Sequence, residues 1–289
     1  MVSDEAVAPG GGTADDRAGK TGPRPFDVTV AHQARIYDYL LGGKDNFAAD
    51  RAAVEEGLKI WPDMAFAARA NRAFLGRVVR YLAGEAGIRQ FLDIGTGIPT
   101  AGNTHQIAQA IAPESRVVYV DYDPVVLAHA RALLTSHDAG VTEYIHADLR
   151  HTDAILARAS RLLDLTKPVA VTMLTILHVI PDSDHPYAIV AKLMDAMPSG
   201  SYLAISHMSS DLLDRETQDG LTDAGKQLSQ EQLSARNREQ VAQFFQGMDL
   251  VEPGLVPVEK WRQEPGSDAP GNSATWGAVG CKRSVAHEE

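Results

Sequence analysis

The sequence predicts an α/β fold with a mostly parallel sheet, on three observations. From Ile88 onward, apolar runs of strand length alternate with helical segments. The first run, Phe91-Leu92-Asp93-Ile94, leads at once into Gly95-Thr96-Gly97, and the second, Val117-Val118-Tyr119-Val120, closes on Asp121. The run that begins at Val169 is unbroken and rich in apolar and β-branched residues, which suits a strand covered on both faces.

Residues 1–25 are rich in Gly, Ala, Pro and Asp and are predicted to be a disordered tail, and residues 284–289 are a second tail. Apolar spacing places a helix over Val30 to Leu41, with Ile36, Tyr37, Leu40 and Leu41 on one side and Gly42-Gly43 ending it. A second helix covers Phe47 to Ile60. Pro62 opens a third, which runs to about Ala83 on a stripe of Phe66, Phe74, Val78 and Leu82. No strand precedes Ile88, so residues 26–85 are predicted to be a helical lid on an α/β domain spanning 86–283.

Within that domain the first strand is Ile88 to Ile94. Asn103 and Gln106 have the spacing of a capping box, opening a helix that carries Ile107 and Ile111. The second strand, Arg116 to Val120, precedes Asp123-Pro124, a helix start with proline in the first turn, and Val126, Leu127, Ala130 and Leu134 form its apolar face. Val141 to Ile145 is the third strand, Thr152 caps a helix to about Leu163, and Pro168 leads into the fourth. A helix from Pro186 to Met197 and a fifth strand, Tyr202 to Ser206, follow. The segment 211–238 is polar and helical in part, and Asn237 to Phe245 is a short helix. Leu250 to Val256 and Thr275 to Cys281, joined by a loop, suit an antiparallel pair, giving seven strands in all.

The formal net charge of −11 argues against a protein that grips nucleic acid through its phosphates. One cysteine, Cys281, leaves no intramolecular disulfide and no multi-cysteine metal site, which fits a reducing cytoplasm. The most apolar stretch, Val169 to Ile180, falls short of the ~20 residues that span a bilayer. No membrane association is expected, and the sequence does not set an oligomeric state.

In an open α/β sheet, ligands bind at the carboxyl ends of the strands, near the reversal of strand order. The residues there are Asp93, Asp121, Asp148 and the His178 region. Glycines at the first turn bring backbone close to a ligand, and the second carboxylate suits both hydroxyls of a ribose. Asp93 favours S-adenosylmethionine over NAD. In NAD enzymes that position is generally apolar and a third glycine supports helix packing, and neither feature is met here.

These motifs resemble class I S-adenosylmethionine-dependent methyltransferases, whose fold is Rossmann-like. More narrowly, the chain resembles an actinobacterial family of S-adenosyl methyltransferases formerly classed as a domain of unknown function. The matching stretches are residues 34–47, with Asp38, Gly42, Gly43 and Asn46; residues 70–75, with Asn71 and Arg72; 90–100, with Asp93, Gly95 and Gly97; 120–124, with Asp121 and Tyr122; and 276–280. The resemblance implies that Gly95, Thr96 and Gly97 lie against the methionine part of S-adenosylmethionine and that Asp93 reaches its amino group. It implies that Asp121 takes the ribose hydroxyls, that Tyr122 lies against the adenine, and that Asp148 with Leu149 meets the adenine amino group. The third glycine of the usual loop is replaced by Ile98-Pro99-Thr100, so Asn103 or Thr104 is expected near the methionine carboxylate.

His178 is the first candidate for an acid/base beside the transferred methyl group, with burial as a structural histidine its alternative. His207 has the same two readings. Tyr37, Asn46 and Asn71 are candidate acceptor-binding residues of the lid, against the plainer reading of a capped helix with a solvated face. Asp182 suits a turn, and His105, His129 and His137 are expected to be solvated. The spacing of His146, His151, His178 and His185 does not suit a metal site, so none is expected. The expected activity is methyl transfer to a small molecule. Its rival is a protein that holds S-adenosylmethionine or its demethylated product without turnover, and a pocket walled by Tyr37, Asn46, Asn71 or His178 would favour the enzyme.

Overall fold

The computed structural model describes residues 27–133, 136–228, 233–264, 266 and 271–283. The predicted tails at 1–25 and 284–289, and Leu134, lie outside these. Three helices come first: α1 (Gln33–Leu40), α2 (Ala48–Ile60) and α3 (Met64–Arg80). Strands and helices then alternate as β1 (Gln90–Ile94), α4 (Thr104–Ile111), β2 (Arg116–Asp121), α5 (Pro124–Leu133), β3 (Val141–His146), α6 (Thr152–Ala159), β4 (Ala170–Leu174), α7 (Pro186–Asp195) and β5 (Tyr202–Met208). The chain ends with α8 (Arg215–Leu228), α9 (Arg238–Gln243), β6 (Met248–Leu250), β7 (Val256–Pro257) and β8 (Thr275–Lys282).

The eight strands form one sheet in the order β3-β2-β1-β4-β5-β8-β6, with β7 also paired to β8. β1 to β5 are mutually parallel, and β8 runs antiparallel to β5, β6 and β7. The chain steps outward from β1 to β3, then returns to β4 on the other side of β1. That reversal opens a crevice above the carboxyl ends of β1, β2 and β4.

The predicted single strand from Leu250 to Val256 is two short ones. Between them Pro253 has no N–H to give a ladder, and Gly254 takes φ +84° in a turn whose N–H bonds Val251 O at 2.8 Å. The apolar run after Val169 also divides. β4 stops at Leu174, Thr175 turns the chain with φ +52°, and Leu177–Val179 forms one helical turn.

Alternate side chains of each strand feed two cores, as the pleat requires. Leu92, Ile94, Val118, Val120, Val171, Met173, Leu203 and Ile205 pack against α6, α7 and α9. Phe91, Val117, Tyr119, Ala170, Ala204 and Val279 face the other way, onto Phe74, Leu75, Val78, Val79 and Leu82. Four of those five belong to α3, so the predicted boundary near residue 85 is no break in packing. α3 is a covering helix of the sheet, while α1 and α2 sit beyond it. Each fully buried Leu or Phe contributes roughly 1.5–3 kcal/mol.

The polar residues of the first helices mainly hold those helices together. Arg35, 3% exposed, forms an ion pair with buried Asp50 at 3.0 Å and donates to Val30 O. Asp38 accepts from Asp45 N and Asn46 Nδ2, both at 2.9 Å. A Cβ at Gly43 would lie 2.0 Å from Asp38 Oδ1, so glycine there is a packing requirement. The Asn103 region meets its expectation: Gln106 Oε1 accepts from Asn103 N at 2.9 Å and Gly102 N at 2.8 Å.

Candidate functional site

A cavity of about 360 Å³ lies over the carboxyl ends of β1, β2, β4 and β5, roofed by α1, α2, α3 and α8. Its size is in the range of small-molecule sites. Asp93, Gly95, Thr96, Gly97, Asn103, Asp121, Tyr122, Tyr37, Asn71 and His178 all line it. Asn46, Asp148, Leu149 and His207 do not.

Asp93, the penultimate residue of β1, points to the α3 side of the sheet and is 8% exposed. Its neighbour in register is Thr172 of β4, whose Oγ1 donates to Oδ1 at 2.7 Å. Thr104, the first residue of α4, donates to Oδ2 at 2.6 Å. Asp121, also 8% exposed, accepts Gly97 N–H on Oδ2 at 2.9 Å and Asp123 N–H on Oδ1 at 3.0 Å. Both carboxyls are thus held by uncharged donors. Burial raises the pKa of each, and those hydrogen bonds pull it back. A buried acid in that state gains from any cationic or hydroxyl-rich ligand.

The turn between these two carboxylates is shaped by glycine. Gly95 has φ +74° and Gly97 φ +64°. A Cβ on Gly95 would come within 2.6 Å of Ile176 Cγ1, so a bare backbone is needed there for both reasons. Tyr122, 40% exposed, stands at the rim, its hydroxyl 3.1 Å from His32 Nε2. His32 also lies 3.1 Å from Asp123, so the chain ahead of α1 is tied down over the β2 end.

Arg72 of α3 is the only Arg or Lys among the described residues lining the cavity. It donates to Asn103 Oδ1 at 2.8 Å and to Ala101 O at 3.0 Å, and its charge lowers the pKa of Asp93. Asn103 therefore bears on the cavity as the holder of a guanidinium. The motif at residues 70–75 contained this arginine, but nothing local linked it to Asn103.

At the β4 and β5 ends the polar groups are neutral. Asn71 donates to Tyr37 Oη at 2.9 Å and accepts from Ser206 Oγ at 2.6 Å, while Tyr37 donates to Ala68 O at 3.0 Å. Thr175, in its left-handed conformation, lines the same wall. Strain of this kind costs of the order of 1–3 kcal/mol and concentrates at functional sites. No local sequence signal marked it.

His178 is 6% exposed, and its buried Nδ1 has no hydrogen-bond partner among the described residues. Burial, and then repulsion by Arg236, lowers its pKa to about 4, so the imidazole is neutral at pH 7. His207, fully buried, lies 5.9 Å from it ring to ring. Its ring bonds Met208 O and Arg236 Nη1, each at 2.8 Å, and burial lowers its pKa to about 3. Arg236, 1% exposed, also donates to Leu177 O, Ile180 O and Asp182 Oδ1. It fixes the turn that carries His178, and as a lone arginine in a polar stretch it gave no sign of that task.

The remaining expected residues are placed elsewhere. Asp148 accepts from Arg150, through the backbone N–H at 2.9 Å and the guanidinium at 3.4 Å. Leu149 is core, at 5% exposure. Asn46 is engaged by Asp38, Gly43 O and Arg51. His105, expected in solvent, is 2% exposed, with its N–H and ring both on the Tyr119 hydroxyl. Among the described residues no His, Cys, Asp and Glu group of three or more is placed to hold a metal ion, and no helix is long and apolar enough to cross a membrane.

A reversal-point crevice with a carboxylate on each of two adjacent strands and a glycine turn between them defines a class I S-adenosylmethionine-dependent methyltransferase. The family profile described as S-adenosyl methyltransferase matches residues 19–283. The chain belongs to that family, with S-adenosylmethionine as its cofactor. A DUF574 family protein from Streptomyces avermitilis is similar at 43% identity and a TM-score of 0.85, over 89% of this chain and 99% of that one. A structure described as a candidate methyltransferase from Thermobifida fusca is similar at 37% identity and a TM-score of 0.81, over 92% and 100%. No curated protein matches the chain.

Proposed function

We propose that this enzyme methylates a small-molecule acceptor by in-line displacement. The observation that carries the reading is one cavity with two chemically distinct ends. Asp93, Asp121 and Arg72 gather at the β1–β2 end, and uncharged Tyr37, Asn71, Thr175 and His178 at the β4–β5 end.

The residues at the first end fit the cofactor. Asp121 is positioned for ribose hydroxyls and Asp93 for the amino group. Arg72, braced by Asn103, suits the carboxylate, and Tyr122 at the rim suits the adenine. S-adenosylmethionine, when bound, supplies an already activated methyl group. The chain's own task is then alignment and exclusion of water, worth ~7–11 kcal/mol in favourable cases. The wall of Tyr37, Asn71 and Thr175 sets where an acceptor rests. His178 is an uncharged ring of low basicity, so it suits a hydrogen bond that orients the nucleophile better than full proton removal near pH 7.

Titration calorimetry tests the cofactor half: S-adenosylhomocysteine should bind and NAD should not. Transfer of label from a methyl-labelled donor into a metabolite extract tests the other half. His178→Gln should slow that transfer and spare S-adenosylhomocysteine binding. A chain that takes up no S-adenosylhomocysteine would sink the proposal.

A further inference from the structure

The acceptor end of the cavity has a feature that narrows the substrate class. Of the Asp, Glu, Lys and Arg side chains among the described residues, only Arg72, Asp93 and Asp121 reach the cavity wall, and all three stand at the cofactor end. The apolar part of the remaining wall is Ile36 and Leu40 of α1, Trp61 and Met64 at the α2–α3 junction, Leu213, and Leu221 of α8, with the neutral Gln218 and Thr222 beside it. α8 closes this lobe by packing on α2. A Cβ on Gly220 would lie 3.0 Å from Ile60 Cγ2, so the two helices meet at a glycine. Polar contacts in the lobe come from neutral groups, among them the buried His178 imidazole and the Tyr37–Asn71 pair.

A phosphate, sulfate or ammonium placed here would lose its hydration and meet no opposite charge among the described residues of the lobe. An aromatic or alkyl body would instead be taken out of water by a wall of its own kind. Resting on the methyltransferase reading above, we propose that the methyl acceptor is an uncharged, predominantly apolar small molecule held between α1, α2, α3 and α8. It presents one polar nucleophile, a hydroxyl or a neutral amine, toward Tyr37, Asn71 and His178. The methyl carbon forms its bond to that nucleophile as the carbon–sulfur bond breaks. The electron pair goes to sulfur, and the acceptor's proton passes to solvent as the product leaves.

The test is calorimetry on the full chain saturated with S-adenosylhomocysteine, titrated with 2-naphthol and, separately, with 2-naphthyl phosphate. 2-Naphthol should bind at least tenfold more tightly than its phosphate. Leu221→Asp should weaken 2-naphthol at least tenfold and change S-adenosylhomocysteine affinity less than twofold. Leu213→Gln, at a second half-buried position, should weaken 2-naphthol in the same direction and covers the case in which the first variant does not fold. Absent 2-naphthol binding, equal binding of the phosphate, or binding indifferent to both substitutions would overturn the inference. Failure to bind S-adenosylhomocysteine would instead strike the proposed function, so the two failures are distinguishable.

Discussion

The same substitution at the two site carboxylates should have unequal structural consequences. Asp93 is held by two hydroxyls, Thr104 Oγ1 and Thr172 Oγ1. A hydroxyl both donates and accepts, so in Asp93→Asn either threonine can receive the new amide N–H₂. The buried charge is removed as well. The unliganded variant should lose less than about 1 kcal/mol. Asp121 is held by two backbone N–H groups, from Gly97 and Asp123, one on each oxygen. Neither N–H can accept, and flipping the amide only exchanges which one faces a donor. Asp121→Asn therefore leaves a buried donor opposed and should cost about 1–3 kcal/mol. For a domain of this size that is a fall in Tm of about 2–6 °C. Thermal unfolding of both variants without ligand measures the contrast, and calorimetry with S-adenosylhomocysteine should show each weakened tenfold or more. Equal Tm losses in the two variants, or an Asp121→Asn protein as stable as the parent, would refute the donor–acceptor argument.

Three further outcomes follow from the site. Gly97→Ala meets nothing within 4 Å and should cost only the ~1–2 kcal/mol of a left-handed alanine, whereas Gly95→Ala also displaces Ile176 and should show a larger Tm loss with weaker S-adenosylhomocysteine binding. Stability should fall on acidification. His178 and His207 have folded pKa values of about 4 and about 3 against 6.5 in the unfolded chain, so their contribution is complete above pH 6.5 and is lost as pH falls to about 4 for His178 and about 3 for His207. For His178 alone the loss is about 3 kcal/mol. Asp93 and Asp121, raised by burial, act with the opposite sign. A flat urea midpoint between pH 7 and pH 5 would contradict the histidine account. Arg236→Lys replaces a planar fork with a point donor and cannot reach Leu177 O, Ile180 O and His207 together. It should cost about 2 kcal/mol, read as a lowered urea midpoint.

What the sequence disclosed was whatever short-range pattern controls. Asn103 with Gln106, Asp123 before Pro124, and the carboxylates closing β1 and β2 were all legible, because caps, turns and strand ends are decided within a few residues. The misplacements have the opposite origin. His105 of α4 was expected in solvent, and its burial depends on Tyr119 of β2. α3 read as part of an appendage because its stripe does not say which surface it meets. Arg72, Thr175 and Arg236 acquire their meaning from partners 31, 31 and 59 positions away along the chain.

The place of β8 in the sheet has a consequence for biosynthesis. Among the described strands it is the last to emerge from the ribosome, yet it lies between β5 and β6 and also pairs β7. Until it emerges, β5 has a bare rim and its two later neighbours have nothing to zip onto. A nascent chain stalled shortly before Thr275 should therefore be protease-sensitive along β5 and β6, and a synthetic peptide spanning 275–282 should compete for the gap.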